Sequence, residues 1–249
     1  TELDYGSFLE GVMGGVLDGI RVLDFGRYIA VPFCGMLLGD MGAEVIRIDK
    51  LSGSEDRYLV PVAESGEGPL FLALNRNKKS LTLNPMKPQG REIVENLVKT
   101  ADIVIANLPQ PTLEAMGIDY DSLRAIKPDI ILTTVTAYGN GGPYSERVGF
   151  DGVAQALAGA TYMGGRPGDP MKSFVPFADF GTATMAAFGT LSALIERNKT
   201  GNGQLVEAAL TRTVMAFNIA LLAEEAIKSI DRPSYGNRGY SAGPSDIFK

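Results

Sequence analysis

Two short apolar runs, Ile20-Arg-Val-Leu-Asp-Phe25 and Glu44-Val-Ile-Arg-Ile48, bracket the helical stretch Phe33-Cys-Gly-Met-Leu-Leu-Gly-Asp-Met41, which enters through Pro32 and stops at Gly42. Strand, helix and strand in so short a span form a βαβ unit. Such a unit commits the chain to a parallel strand pair with a right-handed crossover. The alternation continues. Ser80–Leu83 reads as a strand, and Pro88–Thr100 as a helix with Ile93, Leu97 and Val98 on one face. Asp102–Ile105 and Asp129–Val135 read as strands, with two short helices between them that part near Gly117. This order predicts an open, Rossmann-like α/β fold: a mostly parallel sheet with helices on both faces.

Beyond Gly149 the chain turns to small residues. We expect a helix over Asp151–Ala160, a turn-rich loop over Gly164–Pro170 and a long helix over Phe180–Lys199. A strand over Gln204–Ala209 and a helix over Arg212–Lys228 follow. The predicted organisation is an N-terminal extension (1–16), a large domain (17–230), and a linker that opens a second, smaller domain (231–249). The Gly- and turn-rich Tyr235–Pro244 marks that boundary, and we expect the chain to be a fragment cut there.

Composition narrows the function. The net charge is −6 with both signs interspersed, which argues against a nucleic-acid partner. Cys34 is the only cysteine, so no disulfide can form within the chain and a reducing, cytoplasmic setting is expected. Thr1–Val16 lacks the basic start of a signal peptide, and no apolar run reaches the roughly 18 residues of a membrane span. Glu55-Asp56 and Asp119/Asp121 have no histidine or second cysteine to join them, so no metal is expected.

In open α/β sheets ligands bind beyond the carboxyl ends of the strands. Those ends are Gly26–Ala30, Asp49-Lys50, Asn107-Leu108 and Tyr138–Asn140, a set that suits a nucleotide-like ligand. Neither a dinucleotide glycine fingerprint after the first strand nor a P-loop is present. The basic stretch Asn75–Ser80 is either a solvated face or a phosphate site.

Asp179, in Phe174-Val-Pro-Phe-Ala-Asp-Phe180, is the first catalytic candidate. The chain has no histidine, so serine–histidine, cysteine–histidine and histidine acid–base mechanisms are closed within it. A carboxylate among phenylalanines can serve as a nucleophile. Local sequence also reads Asp179 as the N-cap of the long helix, and Asp151 as the N-cap of its own. Apolar neighbours would raise the Asp179 pKa and helix amides would lower it. Cys34 reads as a buried core thiol.

Together these residues resemble the class III coenzyme A transferases, the family of formyl-CoA and carnitine–CoA transferases. The resemblance runs from about Leu17 to the end of the chain. It rests on Leu17–Phe25, Ala30–Ile48, Asn75–Ser80, Ala101-Asp102 with Asn107, and Lys199-Thr-Gly-Asn-Gly-Gln204, all in the family's order. The resemblance implies that Asp179 is the nucleophile and that coenzyme A is held as acyl-CoA. Asp179 would attack a donor thioester, pass through a mixed anhydride to an aspartyl-CoA thioester, and deliver CoA to a small carboxylic acid. Backbone amides near Gly181, or from a loop of the absent part, would stabilise the oxyanions.

By the same resemblance, Tyr28, Ile29 and Ala30 would line the adenine and pantetheine path. Lys50 and Arg57 would lie near the phosphates, and Leu83, Asn107 and Tyr138 would border the crevice. Where many members carry basic residues after Asn107, this chain has Leu108 and Ala115, with Lys78 or Lys79 as substitutes. Apart from the resemblance, the loop Met163–Met171 precedes Asp179 and is expected to face the acyl site; its Arg166 reads as a solvated loop arginine, with pairing to a second carboxylate as the alternative. The full-length protein would form an interlocked homodimer. The rival readings are an intramolecular CoA transferase, an α-methylacyl-CoA racemase-like enzyme, and a non-catalytic CoA-binding module. The racemase branch places a histidine at about Phe150, which cannot transfer a proton.

Overall fold

The centre of the molecule is a strand whose neighbours cover it on both edges and whose side chains are buried on both faces. This strand, β1 (Arg21–Asp24), pairs in parallel with β2 (Glu44–Asp49) and β4 (Ile103–Ala106). The computed structural model describes residues 14–248; the first thirteen residues of the expected N-terminal extension lie outside them. Within the described residues the sheet has six strands in the order β3-β2-β1-β4-β5-β6, all parallel. Its edges are β3 (Lys78–Thr82) and β6 (Leu205–Ala209), and β5 (Ile131–Thr136) lies between β4 and β6.

Alternation along each strand feeds two cores. Val22, Ile103 and Ile105 face one layer, and Leu23, Val104 and Ala106 face the other. The first layer holds α1 (Ala30–Asp40), α8 (Phe177–Thr200) and α9 (Leu210–Phe217). The second holds α3 (Pro88–Val98), α4 (Gln110–Met116) and α5 (Tyr120–Ile126). Helix α8 lies close on the sheet because the side chains it buries are small: Ala183, Ala186, Ala187 and Thr190. The Thr190 hydroxyl meets that of Thr133 on β5 at 2.7 Å.

Several boundaries differ from the sequence reading. β3 begins at Lys78, so the basic stretch runs into an edge strand, where charged side chains are tolerated and discourage edge pairing. Helix α1 starts at Ala30, with Pro32 inside its first turn, where no backbone donor is needed. The helix expected over Asp151–Ala160 divides at Gly159 (φ 81°) into α6 (Asp151–Leu157) and α7 (Ala160–Gly164). The last predicted helix breaks at Asn218, whose side-chain Nδ2 donates to the Ala158 carbonyl at 3.0 Å; α10 (Ile219–Lys228) follows. The helix α2 (Pro69–Leu74) and a 3₁₀ turn over Glu55–Tyr58 were absent from the sequence reading. Residues 231–248 carry no regular element. Arg232 pairs with Glu224 on α10, and the Tyr235 amide donates to the Met163 carbonyl at 3.1 Å. No helix among the described residues is long and apolar enough to cross a membrane.

Candidate active site

The strand order reverses between β1 and β4, and the carboxyl ends there open into a cleft of about 1000 Å³. The turn after β1 forms its floor and is pinned at successive amides. Gly26 N–H donates to the Asp24 carboxylate at 2.7 Å. Asn107, after β4, accepts from Arg27 N–H and donates to the Arg27 carbonyl, both at 2.8 Å, so one side-chain amide bridges the switch point. Tyr28 N–H donates to Asp56 at 3.0 Å. These bonds hold Tyr28 at φ 63°, a left-handed conformation costly for a bulky residue. Its ring then meets Phe150 edge-on across the cleft, 5.6 Å between centroids.

Asp56 is itself held. Arg47, buried in β2, binds both Asp56 oxygens (2.9 and 3.0 Å), Asp49 (3.0 Å) and Asn75 (2.8 Å). Asp49 also accepts from Ser54 (2.6 Å) and Arg57 (2.7 Å), and Lys78 binds Asp24 (2.8 Å) and Asn75 (3.0 Å). A buried, charge-balanced network thus lies directly beneath the floor.

Asp179 lines the same cleft, on the first turn of α8. It is not the N-cap. Pro176 occupies that position, and α8 starts at Phe177. The capping is done from a distance by Asp151, whose Oδ2 accepts from the amides of Ala178 (2.8 Å) and Asp179 (3.3 Å). Nor does Asp151 cap its own helix, which begins after Phe150. Its other oxygen accepts from Gln155 (2.5 Å), and Gln155 accepts from Ser173 N–H (2.8 Å). Phe177 and Phe180 N–H bond to the Val175 and Pro176 carbonyls, so the donors of this turn are already engaged.

The two opposed influences on Asp179 are thereby decided. The amides that would have lowered its pKa serve Asp151 instead. Burial, with the Asp151 charge adding to it, raises the Asp179 pKa to about 7. Asp151→Asn keeps an acceptor for the two amides while removing the charge. It should lower the Asp179 pKa, but leave it above the ordinary value of roughly 3.9, because burial is the larger cause. Carbon-13 NMR titration of the Asp179 carboxyl checks this, and an unchanged or higher value contradicts it.

The sequence profile of CoA-transferase family III matches residues 17–249. This chain belongs to CoA-transferase family III. A succinyl-CoA:glutarate CoA-transferase of Homo sapiens is 34% identical over 235 residues, covering 94% of this chain and 54% of that protein. A succinate–glutarate CoA-transferase of Agrobacterium fabrum is 37% identical over 202 residues, covering 78% of this chain and 50% of its own. The chain therefore spans about half the length of the curated relatives it matches. A crystal structure of a CAIB/BAIF family protein from Brucella suis superposes with a TM-score of 0.88 at 33% identity, over 94% of this chain and 63% of that one. The six-stranded parallel sheet is the fold of this family.

Within this family III chain, Tyr28, Ile29, Ala30, Lys50, Leu83 and Asn107 line the cleft with Asp179. Arg57 does not. Its guanidinium is tied to Asp49 and lies 4.1 Å over the Phe71 ring. Tyr138 also stays off the wall, packed edge-on against Tyr144 at 5.5 Å. Lys78 is turned inward to Asp24, and Lys79 pairs with Glu44 at the sheet edge; neither lines the cleft. Arg166 is exposed, bridges backbone-to-backbone with Asp169, and lies outside the cleft. Gly181 stands in the second turn of α8, where a Cβ would come within 2.7 Å of the Phe217 ring; it serves packing. Of the phenylalanines around Asp179, Phe180 packs on Phe33 at 4.9 Å while Phe174 is 97% exposed.

Cys34 is fully buried, and burial followed by the Asp24 charge pushes its thiol up to about 12. No group of three acidic, histidine or cysteine side chains among the described residues is arranged to hold a metal. Sequence reasoning placed Arg27 among the ligand-facing strand ends without giving it a role, and missed the cleft arginine Arg147 and the remote cap from Asp151. The spacing Asp151-x-x-x-Gln155 was the only local signal for the last of these.

Proposed function

We propose that this chain carries the CoA-binding and nucleophilic half of an acyl-CoA:carboxylate CoA transferase, with Asp179 as the covalent carrier. The observation behind this reading is an Asp carboxylate on the wall of a cleft of about 1000 Å³, with no hydrogen-bond donor from the described residues and a pKa near 7. An ionised carboxylate of raised basicity is a better nucleophile than an ordinary one, and near neutral pH a large share of it is ionised.

The cycle balances without an external acid or base. The Asp179 carboxylate adds to the thioester carbonyl of the donor acyl-CoA, and the C–S bond breaks to release CoA thiolate and a mixed anhydride. Thiolate then attacks the aspartyl carbonyl. The donor acid leaves as carboxylate, and an aspartyl-CoA thioester remains. The acceptor carboxylate attacks that thioester, releasing thiolate and a second anhydride. Thiolate attacks the acceptor's carbonyl, giving the new acyl-CoA and free Asp179. With the α8 amides engaged and Gly181 in the helix interior, the oxyanion donors of this scheme come from elsewhere in the full-length protein.

Tyr28, Ile29, Ala30, Lys50, Leu83 and Asn107 are the CoA-contacting residues of this reading. Relatives named for exchange between succinyl-CoA and glutarate support the reaction class. Phe150 offers only a hydrocarbon edge to the cleft, which disfavours proton transfer there. Exposed apolar side chains on α8, α9 and α10 (Phe188, Ile195, Phe217, Ile219, Ile227) support burial of this face by the remaining chain or a second copy in a homodimer.

Trapping tests the mechanism. After incubation with acyl-CoA, the full-length protein should carry a CoA thioester that borohydride reduces and hydroxylamine releases, mapped by mass spectrometry to the peptide containing Asp179. An exchange-competent protein without that adduct would overturn the proposal.

A further inference from the structure

The cleft is lined by three cations, and two of them are already spoken for. Lys50 pairs with Glu55. Arg27 turns its guanidinium onto the carbonyls of Phe25 (3.2 Å) and Gly26 (2.7 Å). Arg147, the third, has neither a carboxylate partner nor a side-chain hydrogen bond among the described residues, although Glu146 stands beside it in sequence. Its exposed side chain is supported by stacking. Its guanidinium lies 4.4 Å over the Tyr144 ring, and Tyr144 is braced edge-on by Tyr138 at 5.5 Å. Arg147 N–H closes a turn onto the Tyr144 carbonyl at 2.9 Å. Stacking occupies the face of the guanidinium and leaves its N–H edge free, the geometry in which arginine grips a planar anion through two bonds.

Position along the cleft decides which anion. Arg147 belongs to the segment between β5 and α6, four residues before Asp151, which caps the helix carrying Asp179. Lys50, Ser52 and Asn84 line the cleft at the outlets of β2 and β3. From β2 to β5 is three strand spacings, roughly 14 Å. A CoA with its thioester at Asp179 would direct its nucleotide toward the β2 and β3 outlets, away from Arg147. Asp179 and Glu146 also line the cleft, and the buried Asp151 accepts from the Asp179 amide. A second negative charge brought there by substrate is repelled unless a cation receives it.

We propose that Arg147 binds the carboxylate of the acyl group or acceptor acid that does not react, and so selects dicarboxylic over monocarboxylic substrates. This rests on the transferase reading above and deepens it by naming a substrate class and the residue that recognises it. It also moves that role from Arg166, which lies outside the cleft, to an arginine that lines it.

The test uses the natural full-length protein, with succinyl-CoA and butyryl-CoA as donors of equal chain length. Wild type should favour succinyl-CoA in kcat/KM. Arg147→Met should collapse that preference by roughly 10- to 100-fold, the value of a charge-assisted hydrogen-bonded pair, and Arg147→Lys should restore part of it. Equal losses for both thioesters, together with weaker binding of free CoA, would mean a phosphate contact and would overturn the proposal. An unaltered preference, or none in wild type, would overturn it as well. Calorimetric affinities of both thioesters for the wild-type and Arg147→Met proteins read the same selectivity without turnover. A protein that binds succinyl-CoA through Arg147 but exchanges nothing keeps this inference and sinks the transferase reading.

Discussion

Asp179→Asn should abolish CoA exchange and, in the same protein, raise stability above neutral pH. Loss of the covalent carrier should lower kcat/KM by roughly 10⁴-fold or more, the scale seen when a nucleophile is removed, while affinity for CoA changes little. The stability effect follows from the raised pKa. A carboxyl at about 7 in the folded protein and roughly 3.9 unfolded binds more protons folded than unfolded between those values. Stability from this group is therefore fully present below about pH 4 and is lost as pH rises through 7. The asparagine variant has no such loss. Its melting temperature relative to wild type should climb from pH 4 to pH 7 and level off above. A difference independent of pH would mean that Asp179 ionises as an exposed carboxylate does. Undiminished exchange by the variant would favour a CoA-binding module without catalysis.

Arg47→Met should be the most destabilising single change in the region of the floor. Its guanidinium is buried with Asp49 and Asp56, and removal leaves two buried carboxylates without their main counter-charge. Burial works against the Arg47 charge, yet Asp24, Asp56 and Asp49 hold its pKa above the usual arginine value. Breaking a buried pair from one side costs about 3–5 kcal/mol, here equivalent to a fall of roughly 6–20 °C in melting temperature. Thermal and urea unfolding measure it, and a loss below about 1 kcal/mol would show that water compensates the carboxylates. Because Asp56 holds the Tyr28 amide, the variant should also bind CoA more weakly at temperatures where it remains folded.

What could be read from the sequence followed burial. Val22, Leu23 and Ile103–Ala106 are apolar on consecutive positions because both faces of their strands are covered, so strand and neighbours were evident. The start of β3 was missed because an edge strand carries Lys78 and Lys79, which read as part of a basic stretch leading into the strand at Ser80. Asp179 looked like a helix cap because a cap is a local pattern. The actual cap comes from a residue 28 positions earlier, and no local pattern shows that. Charges misled for the same reason. Arg57 was expected near the phosphates and Lys78 as a solvated residue or a substitute phosphate contact, but the fold brings Asp49 and Asp24 to them. Arg147 drew no notice until the fold left it without a carboxylate partner among the described residues on the cleft wall.

Asp151 makes the first turn of α8 a place where folding and reactivity disagree. Folding is served by a negative charge on the Ala178 and Asp179 amides, and that charge opposes ionisation of the neighbour that must attack. Acylation removes the conflict, since an anhydride or thioester on Asp179 is neutral. In the proposed cycle the resting enzyme is thus the electrostatically tense form and the covalent intermediates are the relaxed ones. Each return to free carboxylate restores the tension that drives the next attack.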